Sequence, residues 1–194
     1  MDNREKILAC ALDLFHARGY DAVGVQEIAE KAGVTKPTLY YYFGSKRGLL
    51  ETLLETKYAV LRKSIEDASW YADDVSDLLY RVASAFMDYS VNNHKMYKLM
   101  IALFYSAREN EAYQAVSPII KDLYRHFVHI FEQAENRLGN MNGRQEQFAL
   151  GFLGVINHYL LFADEVRKKE DGSIEISDAV KRSLVHQFMY GIYS

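Results

Sequence analysis

Apolar residues recur every three to four positions along most of this chain, the spacing of one face of an α-helix. Ile7, Leu8, Ala11, Leu12 and Phe15 form the first such stripe. Asp2, followed by Glu5 three residues on, reads as its capping box, and Gly19 as a left-handed stop. A short second helix carries Ile28, Ala29 and Ala32 and ends at Gly33. Thr35 can cap a third, with Pro37 in its first turn, where no amide hydrogen is missed. Gly44 breaks the chain, and Ser45 caps a fourth helix with Leu49, Leu50, Leu53, Leu54, Tyr58 and Leu61 on its buried side.

Beyond Trp70 the same period predicts helices near 74–92, 94–106, 110–137, 143–168 and 176–192. Breaks are expected at Asn92-Asn93, around Arg108 to Asn110, from Gly139 to Gly143, and from Lys168 to Ser173. Pro118 lies deep inside the 110–137 segment and is expected to start a second piece or to kink the helix. No stretch of the first 64 residues alternates as a strand would. The expected fold class is all-α.

Composition adds boundaries to this picture. Two prolines and 11 glycines among 194 residues suit long helices. No apolar run approaches the roughly 18 residues that a bilayer requires, so no membrane partner is expected. The start is charged and then amphipathic, unlike a secretory signal, and a cytoplasmic location is expected. Cys10 is the only cysteine, which excludes an internal disulfide and a multi-cysteine zinc site. The net charge of −3 is unevenly spread. Between Lys31 and Leu50 stand Lys31, Lys36, Lys46 and Arg47 with no acidic residue. One basic patch on an acidic protein suits a local anionic contact.

That patch coincides with a recognisable geometry. Two short helices joined by a tight glycine turn make a helix-turn-helix when their inner faces cross steeply. Ala29 supplies the small residue at the crossing and Gly33 the turn. Ile28, Ala32, Val34, Leu39 and Phe43 supply the inward anchors. The run IAEKAGVTKPTLYYYFGSKRGLL resembles the DNA-binding domain of TetR/AcrR-type transcriptional regulators, from about Arg4 to Leu61. The resemblance implies an N-terminal three-helix DNA-binding domain over residues 1–46, a connecting helix over 45–65, and a larger helical ligand-binding and dimerisation domain over 47–194.

It also implies a mechanism. Members of this family are homodimers that set two recognition helices into successive major grooves roughly 34 Å apart. A small molecule in the C-terminal domain alters the spacing of the two heads, and most members are repressors. Carried over by position, Lys36, Pro37, Thr38, Tyr40 and Tyr41 fall where members meet base edges or adjacent phosphates. Tyr42 and Lys46 fall at phosphate positions, and Gln26 at a position that sometimes touches a base. Two departures stand out. Val23-Gly24 replaces the Thr or Ser that often caps the second helix and bonds a phosphate, leaving only backbone amides for that role. Gly48 replaces the acid that commonly completes the box begun by Ser45, so a weaker start to the fourth helix is expected.

The C-terminal part is rich in Tyr and Phe, which at helical spacing suit a plain core as well as a ligand pocket. The pocket candidates are Tyr89, Met100, Phe104, Tyr124, Phe127, His158 and Tyr159, a set suited to a hydrophobic or aromatic effector. His126 and His129, with Asp122 one turn earlier, have metal-compatible spacing but no evident fourth ligand, and a solvated face is the better reading. No metal or cofactor is expected. Arg167, Lys168 and Lys169 read as a cationic helix end.

Gly151 and Gly154 would let another helix approach closely. Phe148, Phe152, Val155, Ile156, Leu160 and Phe162 make their helix apolar nearly all round, so it must be covered on several sides. With Leu184 and Phe188 of the last helix, Phe148, Gly151, Phe152, Gly154 and Val155 are the expected homodimer residues, although an intramolecular core explains Phe148 and Phe152 equally well.

The expected function is a ligand-responsive repressor that binds a palindromic double-stranded DNA operator as a dimer and is released by a small effector. An activator or a partner-controlled regulator without an effector is the alternative. No nucleophile elbow, phosphate loop or paired-carboxylate constellation supports an enzyme.

Overall fold

The computed structural model describes residues 2–70, 74–139, 141–166 and 174–191. Among them the regular structure is helical: α1 (Asn3–Arg18), α2 (Val25–Ala32), α3 (Lys36–Phe43), α4 (Lys46–Ser69), α5 (Val75–Asn92), α6 (His94–Phe104), α7 (Glu111–Ala134), α8 (Gln145–Val166) and α9 (Asp178–Tyr190), with a 3-10 turn at Glu135–Arg137. The chain divides into two compact units, residues 1–60 with 93–121 and residues 61–92 with 122–194.

In the first unit the expected caps are present. The Asp2 carboxylate accepts from the Glu5 amide at 2.8 Å while Glu5 accepts from the Asp2 amide at 3.2 Å. Ile7, Leu8, Ala11 and Phe15 turn inward, and α1 packs on α2, α3 and α6. Gly19 has the positive φ anticipated for it, 80°, but with ψ of 158° it is an extended exit rather than a left-handed turn. Gly33 is left-handed at φ 68° and ψ 31°, a conformation that glycine adopts without steric cost. The Val34 amide then reaches the Ala29 carbonyl at 3.0 Å and closes the turn between α2 and α3.

At the start of α4 the Ser45 half of the expected box is present. Ser45 Oγ still accepts from the Gly48 amide at 2.9 Å, so the cap forms without an acid at 48. A Cβ built at Gly48 would lie 2.2 Å from the Phe43 carbonyl oxygen. The close approach of that backbone, rather than neglect of the cap, accounts for glycine here.

In the second unit α5, α8 and α9 pack on one another. Phe127, Phe131 and Phe152 are fully buried, and the Phe152 and Phe188 rings lie 5.0 Å apart. Lys181 is also buried, its Nζ donating to Asp88 at 2.6 Å and to Asp178 at 3.4 Å. Pro118 does not start a second piece: α7 runs on through it. A proline removes only one helical hydrogen bond, and apolar side chains on both sides, Val116, Ile119 and Leu123, are buried, which offsets that loss. The anticipated cationic end, Arg167 to Lys169, lies outside the described residues.

Candidate nucleic-acid interface

The exposed side of α3 follows from its anchoring. Leu39 is fully buried and Phe43 nearly so, four residues apart on one face. Intervening residues must therefore point away, since neighbours on a helix diverge by about 100°. Tyr41 is 85% exposed, and Tyr40 and Tyr42 are 41% and 40% exposed. The Tyr42 ring leans between its neighbours, 5.4 Å from the Tyr41 ring and 6.0 Å from that of Phe43. Tyrosine in such a setting presents an aromatic face and a hydroxyl to a partner with both apolar and polar edges.

Before these tyrosines stands the helix N-terminus. Thr35 caps it, accepting from the Thr38 amide at 3.3 Å, and the two threonine hydroxyls pair at 2.8 Å. Thr38 is half-buried, so its hydroxyl is committed locally, while Lys36 and Pro37 are exposed. The Lys36 ammonium sits 5.8 Å over the Tyr40 ring, which holds a cation beside the aromatic surface. In α2 Gln26 is exposed and donates to Glu30 at 2.7 Å. Gly24 gives α2 no side-chain cap. Val23 is buried and serves the core.

Lys46 differs from the other expected contacts. It is half-buried, with Nζ 4.2 Å over the Tyr20 ring and 3.5 Å from the Asp21 carbonyl oxygen. Burial pulls the affinity of its ammonium for a proton below the ordinary lysine value, and the nearby Asp21 and Glu111 charges oppose that shift. Tyr20 is itself held by a hydrogen bond from its hydroxyl to Glu111 at 3.0 Å, and burial followed by that bond raises its pKa. Sequence spacing carried no signal for this arrangement, because Glu111 is distant in the chain.

The remaining expected residues fall in both units. Of the pocket candidates, Met100 and Phe104 belong to the first unit, and Tyr89, Tyr124, Phe127, His158 and Tyr159 to the second. Tyr89 and Met100 are buried, and burial raises the Tyr89 hydroxyl to about 12. Phe127 is core, stacked edge-on to Phe86 at 6.1 Å. His158 is exposed and its Nδ1 lies 3.0 Å from the Gly154 carbonyl oxygen. Among the described residues no group of three or more possible metal ligands occurs.

Of the expected dimer residues, Phe152 is buried, while Phe148, Gly154, Val155, Leu184 and Phe188 are half-buried and Gly151 is exposed. Leu150 and Phe162, at 59% and 72% exposed, are large apolar residues that α8 leaves uncovered at separate points along its length. Leu150 was missed in the sequence because helical period cannot say which face a chain covers itself.

Comparison with known proteins follows this geometry. Residues 7–53 match the family described as bacterial regulatory proteins, tetR family. Residues 7–53 form a domain of the tetR family. It is 33% identical over 99 residues to the transcriptional activator FasR of Mycolicibacterium smegmatis, a match covering 51% of this chain and 45% of that protein. A match to the uncharacterized regulator YdgC of Bacillus subtilis is 24% identical and covers 81% of this chain and 79% of that one. The chain also has the fold of Bacillus subtilis FadR, solved with stearoyl-CoA, at a TM-score of 0.78, 21% identity and coverage of 97% and 99%. The family is one of transcriptional regulators.

Proposed function

We propose that this chain is a dimeric DNA-binding transcriptional regulator that represses from a palindromic operator and is released by a small hydrophobic effector. The observation that carries the reading is α3: Leu39 and Phe43 fix it from inside while Lys36, Pro37, Tyr40, Tyr41 and Tyr42 are left on its outer side. Those residue types combine phosphate attraction with apolar and hydrogen-bonding contact to base edges. Gln26 and Thr38 flank this surface, and Lys46 reaches a phosphate by leaving Tyr20. In this division residues 1–46 read DNA and 47–194 bear the effector and dimer functions, within the cytoplasm.

The dimer is supported by α8. A Cβ at Gly154 would meet nothing within 4 Å, so its own chain does not require glycine there. Glycine inside a helix is about 1 kcal/mol less favourable than alanine, which suits a position where another helix comes close. Leu150, one turn before it, is exposed and would be covered. Repression is supported by a 39% match over 51 residues to tetracycline repressor class D, and activation by the FasR match. The hydrophobic effector accords with the aromatic second unit and with the ligand named for FadR.

The test is a mobility shift against the intergenic DNA flanking the gene. A salt-dependent shift with twofold-symmetric protection is expected, and no shift at low salt would sink the reading. Transcription from that DNA with added protein separates the two signs of control.

A further inference from the structure

Three hydrogen bonds within the first unit tie the α1–α2 connection and the start of α4 to residues 110–114, far along the chain. The Tyr20 hydroxyl donates to Glu111 at 3.0 Å, and Asn110 Nδ2 donates to the Asp21 carboxylate at 2.7 Å. A longer contact runs from Arg47 Nη1 to Gln114 at 3.4 Å. Asn110 Oδ1 meanwhile accepts from the Ala112 amide at 2.8 Å, so Asp21 is joined to a residue fixed in the first turn of α7.

Tyr20 and Asp21 are also the residues on which Lys46 rests. The Lys46 ammonium has the Tyr20 ring 4.2 Å away and the Asp21 carbonyl oxygen at 3.5 Å, with the Asp21 and Glu111 charges nearby. A cation over an aromatic face is attracted to it, and more so when partly desolvated, as this half-buried lysine is. A DNA phosphate brought to the seated ammonium would also approach the two carboxylates, and like charges oppose that. Seat and phosphate therefore compete for one ammonium, and whatever fixes the seat sets the cost of leaving it.

We infer that residues 110–114 form a latch that holds Lys46 back from DNA, with Glu111 the positioning residue that pins the Tyr20 ring and Asn110 the one that pins Asp21. The latch concerns regulation of the same DNA-binding surface and rests on that reading. Loosening the start of α7 frees the cation and tightens the grip on DNA; closing it withdraws a phosphate contact without moving α3.

The experiment follows Lys46 in the full chain, with lysine labelled by carbon-13 at Cε. Protons above an aromatic ring resonate upfield, so one lysine signal should stand upfield and vanish in Lys46→Met. Adding the intergenic duplex that flanks the gene should return that signal to the ordinary lysine position. Tyr20→Leu removes the ring with no change in charge; it should abolish the upfield shift without DNA and tighten the duplex about threefold. Should that variant not fold, Glu111→Gln serves, with a gain of about threefold expected at about 0.15 M salt, where distant charges are screened. In a Lys46→Met background the gain from either substitution should disappear. A gain that persists there would come from other causes and would overturn the latch. A Lys46 signal that stays upfield on bound duplex would overturn it as well, since the lysine would then meet phosphate from its seat. No binding of the native chain at low salt would sink the regulator reading and the latch with it, whereas binding with an unmoved signal sinks the latch alone.

Discussion

Leu39 and Tyr41 are two residues apart on α3 and live on different links between sequence and function. Leu39 is fully buried, so Leu39→Ala should cost roughly 2–5 kcal/mol of stability through lost contacts and a cavity, measured by urea denaturation. Tyr41 is 85% exposed, so Tyr41→Ala should leave the denaturation midpoint nearly unchanged while weakening DNA binding in the mobility shift. A Tyr41→Ala variant that unfolds early, yet binds normally when folded, would contradict this division. Lys36 and Lys46 divide similarly. Lys36→Ala should lower the slope of log affinity against log salt by about one, the value of a single phosphate contact. Lys46 lies on Tyr20, so Lys46→Ala should cost about 0.5–1 kcal/mol of stability. A loss of salt slope in that variant as well would show the lysine exchanging the ring for a phosphate on DNA.

Helices rather than single residues decide the response to acid. His16 on α1 has its ring 6.2 Å from that of His94 on α6, and Lys95 and Lys98 also face it from α6. Burial first, then these three cationic or titratable neighbours, lower the His16 pKa, with Asp13 pulling the other way. His126 on α7 is lowered too, again first by burial. A histidine depressed in the folded state is stabilising as the neutral ring above its unfolded pKa of about 6.5, and that stability is lost as pH falls towards the folded value. Stability should therefore decline as pH falls below about 6.5, and His16→Gln with His126→Gln should flatten the decline. A native midpoint that rises over this range would refute the assignment. Asp13 acts lower on the scale: its carboxyl is held below the usual range chiefly by the hydrogen bond from Lys95, so its contribution is present above about pH 4 and fades below it.

At the scale of the whole molecule the proposed dimer rests on α8. Leu150 and Phe162 leave more apolar surface on one helix than a single copy covers. Leu150→Glu should convert a dimer to a monomer in light scattering, with helicity retained. Weakened operator binding should follow, because one recognition helix reads only half of a palindrome. A Leu150→Glu variant with unchanged mass would place the dimer contact elsewhere.

Much of this was legible in the order of the residues. Caps, glycine stops and apolar period are local, so Asp2, Gly33, Thr35 and Ser45 marked helix ends that the fold keeps. The alternation of Leu39 and Phe43 with three tyrosines announced an anchored helix with an aromatic outer side. Through-space relations were not written that way. Lys46 read as a phosphate contact, with no sign that its ammonium would lie on the Tyr20 ring. Pro118 read as a break until the buried side chains around it showed a helix held by packing. Tyr89, Met100, Phe104, Tyr124, Phe127, His158 and Tyr159 were chosen by residue type, and type alone does not say which faces meet and which leave a void. Periodicity thus decides the helices and the reading head, because both follow from bonds and neighbours within a few residues. Which cations are engaged, where space is left and which apolar residues stay uncovered depend on chain segments far apart in sequence, and only tertiary packing brings those together.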